Sequence, residues 1–427
     1  MGCKGARTVK KVIVVGPALT RTGYGEHARA TLRALRDMED KVDLYLSPTN
    51  WGNANWVWED SDERHWLEHL IKKTAFAMQQ QVQFDVSFQV TIPNEWQKLC
   101  PVNIGVTAGI ETTKVAPNWL NQSYLVDKIL TISEHSKQTY INTVYEAVHP
   151  ETGQPISLKF NPQVGVDVIH YSAKDYPLQD LELNLPTKFN FLSIAQWGPR
   201  KNMHNVVSWF VEEFIDNPDA GLVVKTFAKG GSKLDRKGIT DVLERMLKKY
   251  PNRQCKVYLL HGDMTEEEVH SLYRQEEIKA FVSLSHGEGF GLPHFEAAYS
   301  GLPVIAPAWS GYVDFLYAPK KNKKGKEELK ALFAKVDYDL SPVNAEAVWD
   351  GVIQQDSLWC YPQQGSFKMK LREVYKDYGR FKKQAAELQE WVVPNFSQEV
   401  IHARFAEAVK DLLEDEWSDG LQKIEVV

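Results

Sequence analysis

Short apolar runs alternate with amphipathic stretches along this chain, and the alternation occurs twice. The first run, residues 11–15, is Lys-Val-Ile-Val-Val and ends at Gly16-Pro17. A glycine loop with Gly23 and Gly25 follows, then a helical pattern over 26–37 with Ala28, Leu32 and Leu35 on one face. Further strands are expected at 42–46, 84–90, 103–107 and 128–132, with helical patterns between several of them. A loop-rich stretch at 148–159 precedes a short run at 164–167. Residues 171–188 carry Pro177 and Pro186 and little periodicity, which places a linker there. The alternation then restarts with strands at 189–194, 221–226, 255–259 and 280–284, and helices at 206–214, 239–249 and 265–275. Strands that alternate with helices predict an α/β protein with doubly wound parallel sheets. The expected organisation is a first domain over 1–180 and a second over 187–396. From 397 a helix is expected with Ile401, Phe405, Val409 and Leu412 on one stripe, suited to packing back on the first domain.

Length supports this division, because 427 residues exceed a single compact core. The formal net charge is 50 − 56 = −6, so no global field draws the chain to nucleic acid or anionic lipid. Cys3, Cys100, Cys255 and Cys360 lack disulfide or metal spacing and read as reduced thiols of a cytoplasmic protein. No apolar stretch is long enough to span a bilayer, and the start at Met1 lacks an apolar signal core.

The densest chemistry is Glu288-Gly-Phe-Gly-Leu-Pro-His-Phe-Glu296, which follows the run at 280–284 and leads to a glycine stop at Gly301 and another strand. It reads as strand, glycine loop, short helix and strand, a parallel crossover unit. Open α/β sheets bind ligands at strand carboxyl ends, which puts this loop in a crevice. Gly289 and Gly291 permit a sharp turn and close approach to a ligand. Pro293 suits the first helical turn, whose free N–H groups suit a phosphate. Glu288 and Glu296 add two carboxylates for hydroxyl-rich groups, where a mere turn requires neither. Upstream, residues 195–202 read Ala-Gln-Trp-Gly-Pro-Arg-Lys-Asn. Arg200 and Lys201 after a strand suit a diphosphate leaving group, although a solvated basic turn would look the same.

With its following Gly-Leu-Pro-Val-Ile-Ala, the glutamate segment resembles the donor-site signature of retaining GT-B glycosyltransferases, family 4. Other segments resemble that family in the same order: the loop 16–25, the strand end 130–136 with its serines, the Gly-Val-Asp at 165–167, the phosphate loop 193–202, and 261–273. Together they extend over essentially the whole chain. The resemblance implies two Rossmann-like domains facing a cleft, the first binding acceptor and the second binding a nucleoside-diphosphate sugar, with the C-terminal helix crossing back. It implies sugar transfer to an acceptor hydroxyl with retention of configuration and no required metal or other cofactor. Glu288, Arg200 and Lys201 take the catalytic roles. Glu296, Gly289, Phe290, Gly291, Leu292, Gly23 and Lys225 face the donor, with Glu296 on the ribose. The family commonly has arginine directly after the strand where Gln196 stands here. It also often has a histidine in the segment 105–119 that this chain lacks.

Glu111, followed by Thr112, is the candidate on the acceptor side in that segment, or else a helix-start carboxylate. Tyr24 floors an acceptor pocket or is packed; Lys225 contacts phosphate or merely ends a strand. Trp51, Trp56, Trp58 and Trp66 read as core ahead of a stacking surface. Asp337-Tyr338-Asp339 resembles a metal-binding motif of a different fold but falls too late in the chain, and His261, His286 and His294 lack zinc spacing. The run Lys320, Lys321, Lys323, Lys324 and Lys326 is a solvated loop or a contact for nucleic acid. Two other classes stay open: an epimerase of nucleotide sugars on the same architecture, and a non-catalytic module that binds sugar nucleotide or nucleic acid.

Overall fold

A computed structural model describes residues 9–52, 54–148, 153–322 and 324–413. The first sheet is built from β1 (Lys10–Gly16), β2 (Val42–Pro48), β3 (Val86–Val90), β4 (Val102–Thr107) and β5 (Lys128–Thr131). After an antiparallel hairpin of β6 (Val144–Val148) and β7 (Pro155–Lys159), it is completed by β8 (Gly165–Val168). Its order is β2-β1-β3-β4-β5-β8, with every pairing parallel. The second sheet takes β9 (Phe189–Ile194), β10 (Ala220–Lys225), β11 (Lys256–Leu260), β12 (Ile278–Val282) and β13 (Val304–Pro307). A hairpin of β14 (Tyr317–Lys321) and β15 (Glu327–Ala331) precedes its last strand, β16 (Ala334–Val336). The order is β11-β10-β9-β12-β13-β16, again parallel throughout. Helices cover both faces of such sheets, which is why β3 reads Val-Ser-Phe-Gln-Val and is buried at all five positions. The polar members are satisfied: Ser87 donates to Asn103 Oδ1 at 2.9 Å, and Gln89 Nε2 donates to the Gln97 carbonyl at 2.7 Å.

Local chemistry moves several expected boundaries. The first helix starts at Gly23, because the Thr22 side chain accepts from the Gly25 amide at 2.9 Å and caps it. Gly23 and Gly25 therefore lie in its first turn, and the glycine loop is shorter than expected. Within the stretch read as loop-rich, 148–159, residues 155–159 form β7 and pair with β6, and Tyr145 and Leu158 pack against the first core; residues 149–152 lie outside the described residues. The lysine run is the turn and flank of the β14–β15 hairpin. Lys320 stands opposite Glu328 and Lys321 opposite Glu327, while Lys320 also pairs with Glu387 at 3.2 Å. This local charge balance gives no support to nucleic-acid contact; Lys323 lies outside the described residues. Asp337 and Asp339 flank Tyr338 at the start of a further hairpin, Tyr338–Pro342 with Leu358–Pro362.

The linker has no regular element between Val168 and Phe189. It is fixed by side chains instead, with Arg274 Nη1 donating to the Tyr176 carbonyl at 3.0 Å and Gln275 to the Gln179 carbonyl at 2.7 Å. The chain crosses back in the helix Gln398–Leu413, whose Phe405, Val409 and Leu413 join the first core. Phe405 stacks on Phe88 with ring centroids 5.7 Å apart, and His402 pairs with Asp37 at 2.5 Å. The two crossings touch: the Ala173 amide donates to the Phe396 carbonyl at 2.7 Å. Cys100, Cys255 and Cys360 are buried free thiols, and Cys3 lies outside the described residues. No helix among the described residues is long and apolar enough to cross a membrane.

Phe405→Ala should destabilise the full chain by about 3–5 kcal/mol, because it empties a fully packed position in another domain's core. Urea unfolding followed by circular dichroism checks this, and a loss under about 1 kcal/mol would contradict the anchoring role.

Candidate functional site

Every loop that carries an expected site residue leaves the carboxyl end of a strand, or begins the helix after it. On the second domain, β12 leads through His286 to Gly287 and Glu288. Ser310 accepts from the Glu288 amide at 3.0 Å, and the Glu288 carbonyl accepts from the Gly311 amide at 2.9 Å, so this backbone is held on both sides. Gly291 has φ of 90°, a conformation that favours glycine, and it caps the helix Leu292–Tyr299 with Pro293 in the first turn. Phe290 places its ring in the second core against Phe295 and Phe315, and Leu292 packs at that core's edge. Both side chains are packing, so what this loop offers a ligand at these positions is backbone. His286 is packing as well, stacked on Trp359 at 4.8 Å and bonded through Nδ1 to the Cys360 carbonyl at 2.6 Å.

Four charges meet here. Lys201 Nζ lies 2.5 Å from one Glu288 oxygen, and Arg200 Nη1 lies 3.0 Å from the other. Arg200 Nη1 also donates to the Gly287 carbonyl at 2.7 Å, and Nη2 reaches Glu111 of the first domain at 3.4 Å. The side chains are largely shielded, with exposures of 26% for Arg200, 18% for Lys201, 10% for Glu288 and 14% for Glu111. Burial opposes the Glu288 charge, but Lys201 and then Arg200 overcome it and hold the carboxyl well below its usual range. Burial likewise opposes the Arg200 charge, which Glu111 and Glu288 sustain. For Lys201, burial and then Arg200 win over Glu288 and lower its pKa. The short turn Pro199–Lys201 presents both cations, and Asn202 secures it, with φ of 54° and its Nδ2 on the Leu284 carbonyl at 3.2 Å. Gln196 is directed elsewhere, to the Ala228 carbonyl at 2.9 Å.

Glu296 is partly buried and accepts from the Tyr273 hydroxyl at 2.7 Å. Burial raises its pKa to about 7 against that hydrogen bond and the pull of Lys174. Glu288 and Glu296 thus share no partner; one sits among cations and the other under a phenol. Lys225 donates to the Gly262 carbonyl at 2.8 Å, and burial lowers its pKa. Nearby, Arg21 of the first domain reaches the Met264 carbonyl at 2.7 Å.

On the first domain, Tyr24 is packed. Its hydroxyl lies 2.9 Å from Thr107 Oγ1 and accepts from the Ala108 amide at 3.2 Å, while its ring stacks on Trp51 at 4.3 Å. It supports the loop after β4 from below. Thr112 is buried, with its hydroxyl on the Lys114 carbonyl at 3.0 Å. Of the expected first-domain set, Glu111 joins the charge cluster. Gly23 has open space where a Cβ would stand. The tryptophans divide: Trp51 and Trp66 pack against the core, but Trp56 and Trp58 are 50% and 67% exposed.

The largest correction concerns the glycines. A Cβ on Gly289 would lie 1.9 Å from the Ala108 carbonyl oxygen, and one on Gly287 would lie 2.0 Å from that of Glu111. What approaches these two backbones closely is the first domain. Ser133 completes the contact by donating to the Gly289 carbonyl at 2.6 Å. Its place in the strand-end segment 130–136 was visible in the sequence; its partner was not. A second contact missed in the sequence runs through Lys174 of the linker, which joins Glu26 at 2.9 Å to Glu266 at 2.7 Å. Burial opposes the Glu26 charge, and Arg33, Lys174 and Arg29 hold its carboxyl well below the usual range.

Comparison with solved structures places this architecture. HepE of Anabaena, solved with UDP and glucose, superposes with a TM-score of 0.57 over 94% of this chain and 100% of its own, at 12% identity. Sucrose-phosphate synthase of Thermosynechococcus elongatus gives 0.57 over 94% and 99%, at 14% identity. The fold is GT-B. Within it, residues 179–325 match the family described as glycosyl transferases group 1, a span that holds Arg200, Lys201, Glu288 and Glu296. The serotype-specific mannosyltransferase WbdA of Escherichia coli is 25% identical over 193 residues, 44% of this chain and 22% of that protein. The chain thus spans about a fifth of the length of the curated relatives it matches.

Two outcomes test this geometry. Gly287→Ala should force the two GT-B domains apart; small-angle scattering should show a larger radius of gyration with unchanged circular dichroism, and an identical profile would contradict the contact. Glu296 has a folded pKa of about 7 against an ordinary value of 4.5, so the folded state holds its proton longer than the unfolded one. The stability this gives is full below pH 4.5 and is lost as pH rises to about 7. Glu296→Gln should therefore gain up to roughly 3 kcal/mol on the wild type between those limits, read as the pH dependence of urea midpoints.

Proposed function

We propose that this chain is a glycosyltransferase that moves a sugar from a nucleoside-diphosphate sugar to an acceptor hydroxyl, with retention at the anomeric carbon. The observation that carries the reading is the Arg200, Lys201 and Glu288 cluster at the carboxyl edge of the second sheet, inside the span that matches the glycosyl transferase family. Breaking the glycosidic bond builds negative charge on the departing diphosphate. Two cations already fixed in a shielded site stabilise that charge with little reorganisation. The amides around Gly291 and the start of the helix Leu292–Tyr299 add to them. Glu296, pointing at a hydroxyl donor in Tyr273, is suited to take ribose hydroxyls in the same way. Glu288 sets the position of both cations and orders the loop.

The transition state on this reading resembles an oxocarbenium ion. Retention follows where the departing phosphate accepts the acceptor's proton on the same face, which removes the need for a protein base. The reading requires no metal ion, because Arg200 and Lys201 meet the leaving-group charge. A hexose donor is favoured by the mannosyltransferase relative and by the glucose complex of the Anabaena protein. The exposed faces of Trp56 and Trp58, in the loop that bridges to Thr20 after β1, are the surface this reading gives to the acceptor.

Wild-type protein incubated with a panel of nucleoside-diphosphate sugars should release nucleoside diphosphate from one of them. Lys201→Ala and Glu288→Ala should each reduce that release by about a hundredfold or more with folding intact. Wild-type turnover in either variant would remove these assignments.

A further inference from the structure

The charge cluster contains one member from the opposite domain. Arg200 and Lys201 supply two positive charges, and Glu288 and Glu111 supply two negative ones. The formal charges of these four groups therefore cancel. A diphosphate that entered with both carboxylates in place would leave the two cations facing an excess of negative charge in a shielded space. The structure distinguishes the two carboxylates by how firmly each is held. Glu288 is held by Lys201 at 2.5 Å and Arg200 at 3.0 Å, and its backbone is fixed through Ser310 and Gly311. It also belongs to the same domain as both cations. Glu111 touches Arg200 alone among them, at 3.4 Å, and it arrives on the first domain's loop after β4.

We propose that Glu111 is a tethered stand-in for the donor's diphosphate: Arg200 holds it across the cleft in the donor-free protein and exchanges it for the diphosphate when donor enters. This rests on the reading that Arg200 receives the diphosphate. Because the Glu111 carbonyl lies against Gly287, the exchange is tied to the fit between domains. The same loop is joined to the second domain at Thr113, whose amide donates to the Leu358 carbonyl at 2.9 Å while its hydroxyl accepts from the Leu358 amide at 2.9 Å. Glu111 thus sets donor affinity as a competitor, which is the opposite of a donor ligand.

Calorimetric titration of the full chain with inorganic pyrophosphate, and with UDP, GDP and ADP, tests the exchange. Glu111→Gln and Glu111→Ala should each bind pyrophosphate and the preferred nucleotide roughly tenfold more tightly than wild type. In an Arg200→Ala background the same Glu111 substitutions should have no such effect, since the competition is for that guanidinium. Circular dichroism on each variant separates folding defects from affinity. Unchanged or weaker affinity in both Glu111 variants overturns the proposal while leaving nucleotide binding intact, and tightening that persists without Arg200 overturns it as well. If neither wild type nor variants bind any of the four probes, the function proposed above falls together with it.

Discussion

The arrangement of this molecule depends on placing like charges beside one another in a shielded cleft and balancing them from both sides. Arg200 and Lys201 are adjacent in sequence, and burial opposes the charge on both. Glu288 makes their coexistence possible, and Glu111 completes the balance from the facing domain. The rest of the architecture serves to deliver these groups. Parallel sheets bring the loop that leaves each strand to one edge, and the linker and the returning helix keep the two edges face to face.

The contact between domains is close. Backbone meets backbone at Gly287 and Gly289, where any side chain would collide with a carbonyl. Such contacts are short and directional, so the closed arrangement has little tolerance. Side-chain bonds reinforce it on both flanks, through Ser133 on one and the Glu26, Lys174 and Glu266 chain on the other. The energy of these ion pairs is modest where water reaches them. Their geometry matters more, because it fixes one register between the domains.

Much of this was legible in the sequence. The first strand announced itself by an unbroken apolar run and the other buried strands by short, mostly apolar ones, and the break at 171–188 by proline and absent periodicity. Arg200, Lys201 and Glu288 stood out as candidates by residue type and position after strands, but their pairing with one another did not. What escaped was long-range. Gly289 looked like a ligand-facing glycine because a sequence does not say which surface approaches a bare backbone. The lysine run looked like an isolated positive loop because Glu327 and Glu328 face it only once the hairpin closes. Tyr24 and Thr112 had the polarity of site residues, but Tyr24 places its hydroxyl at the end of β4 and Thr112 bonds the Lys114 carbonyl two residues on. Hydrogen bonds between distant segments have no signature in local pattern.

The point where Ala173 meets Phe396 has a mechanical meaning. The polypeptide passes between domains twice, and both passages run through one spot, with His170 and Phe396 rings in contact at 5.2 Å. Two strands of covalent chain fastened side by side behave as a pivot. Such a joint would let the halves swing about that spot and would resist sliding or pulling apart. Displacement then grows with distance from the pivot, so a few degrees of swing would leave the passages undisturbed while moving the lips of the crevice most. The aromatic packing at Phe396 acts as the bearing of that joint.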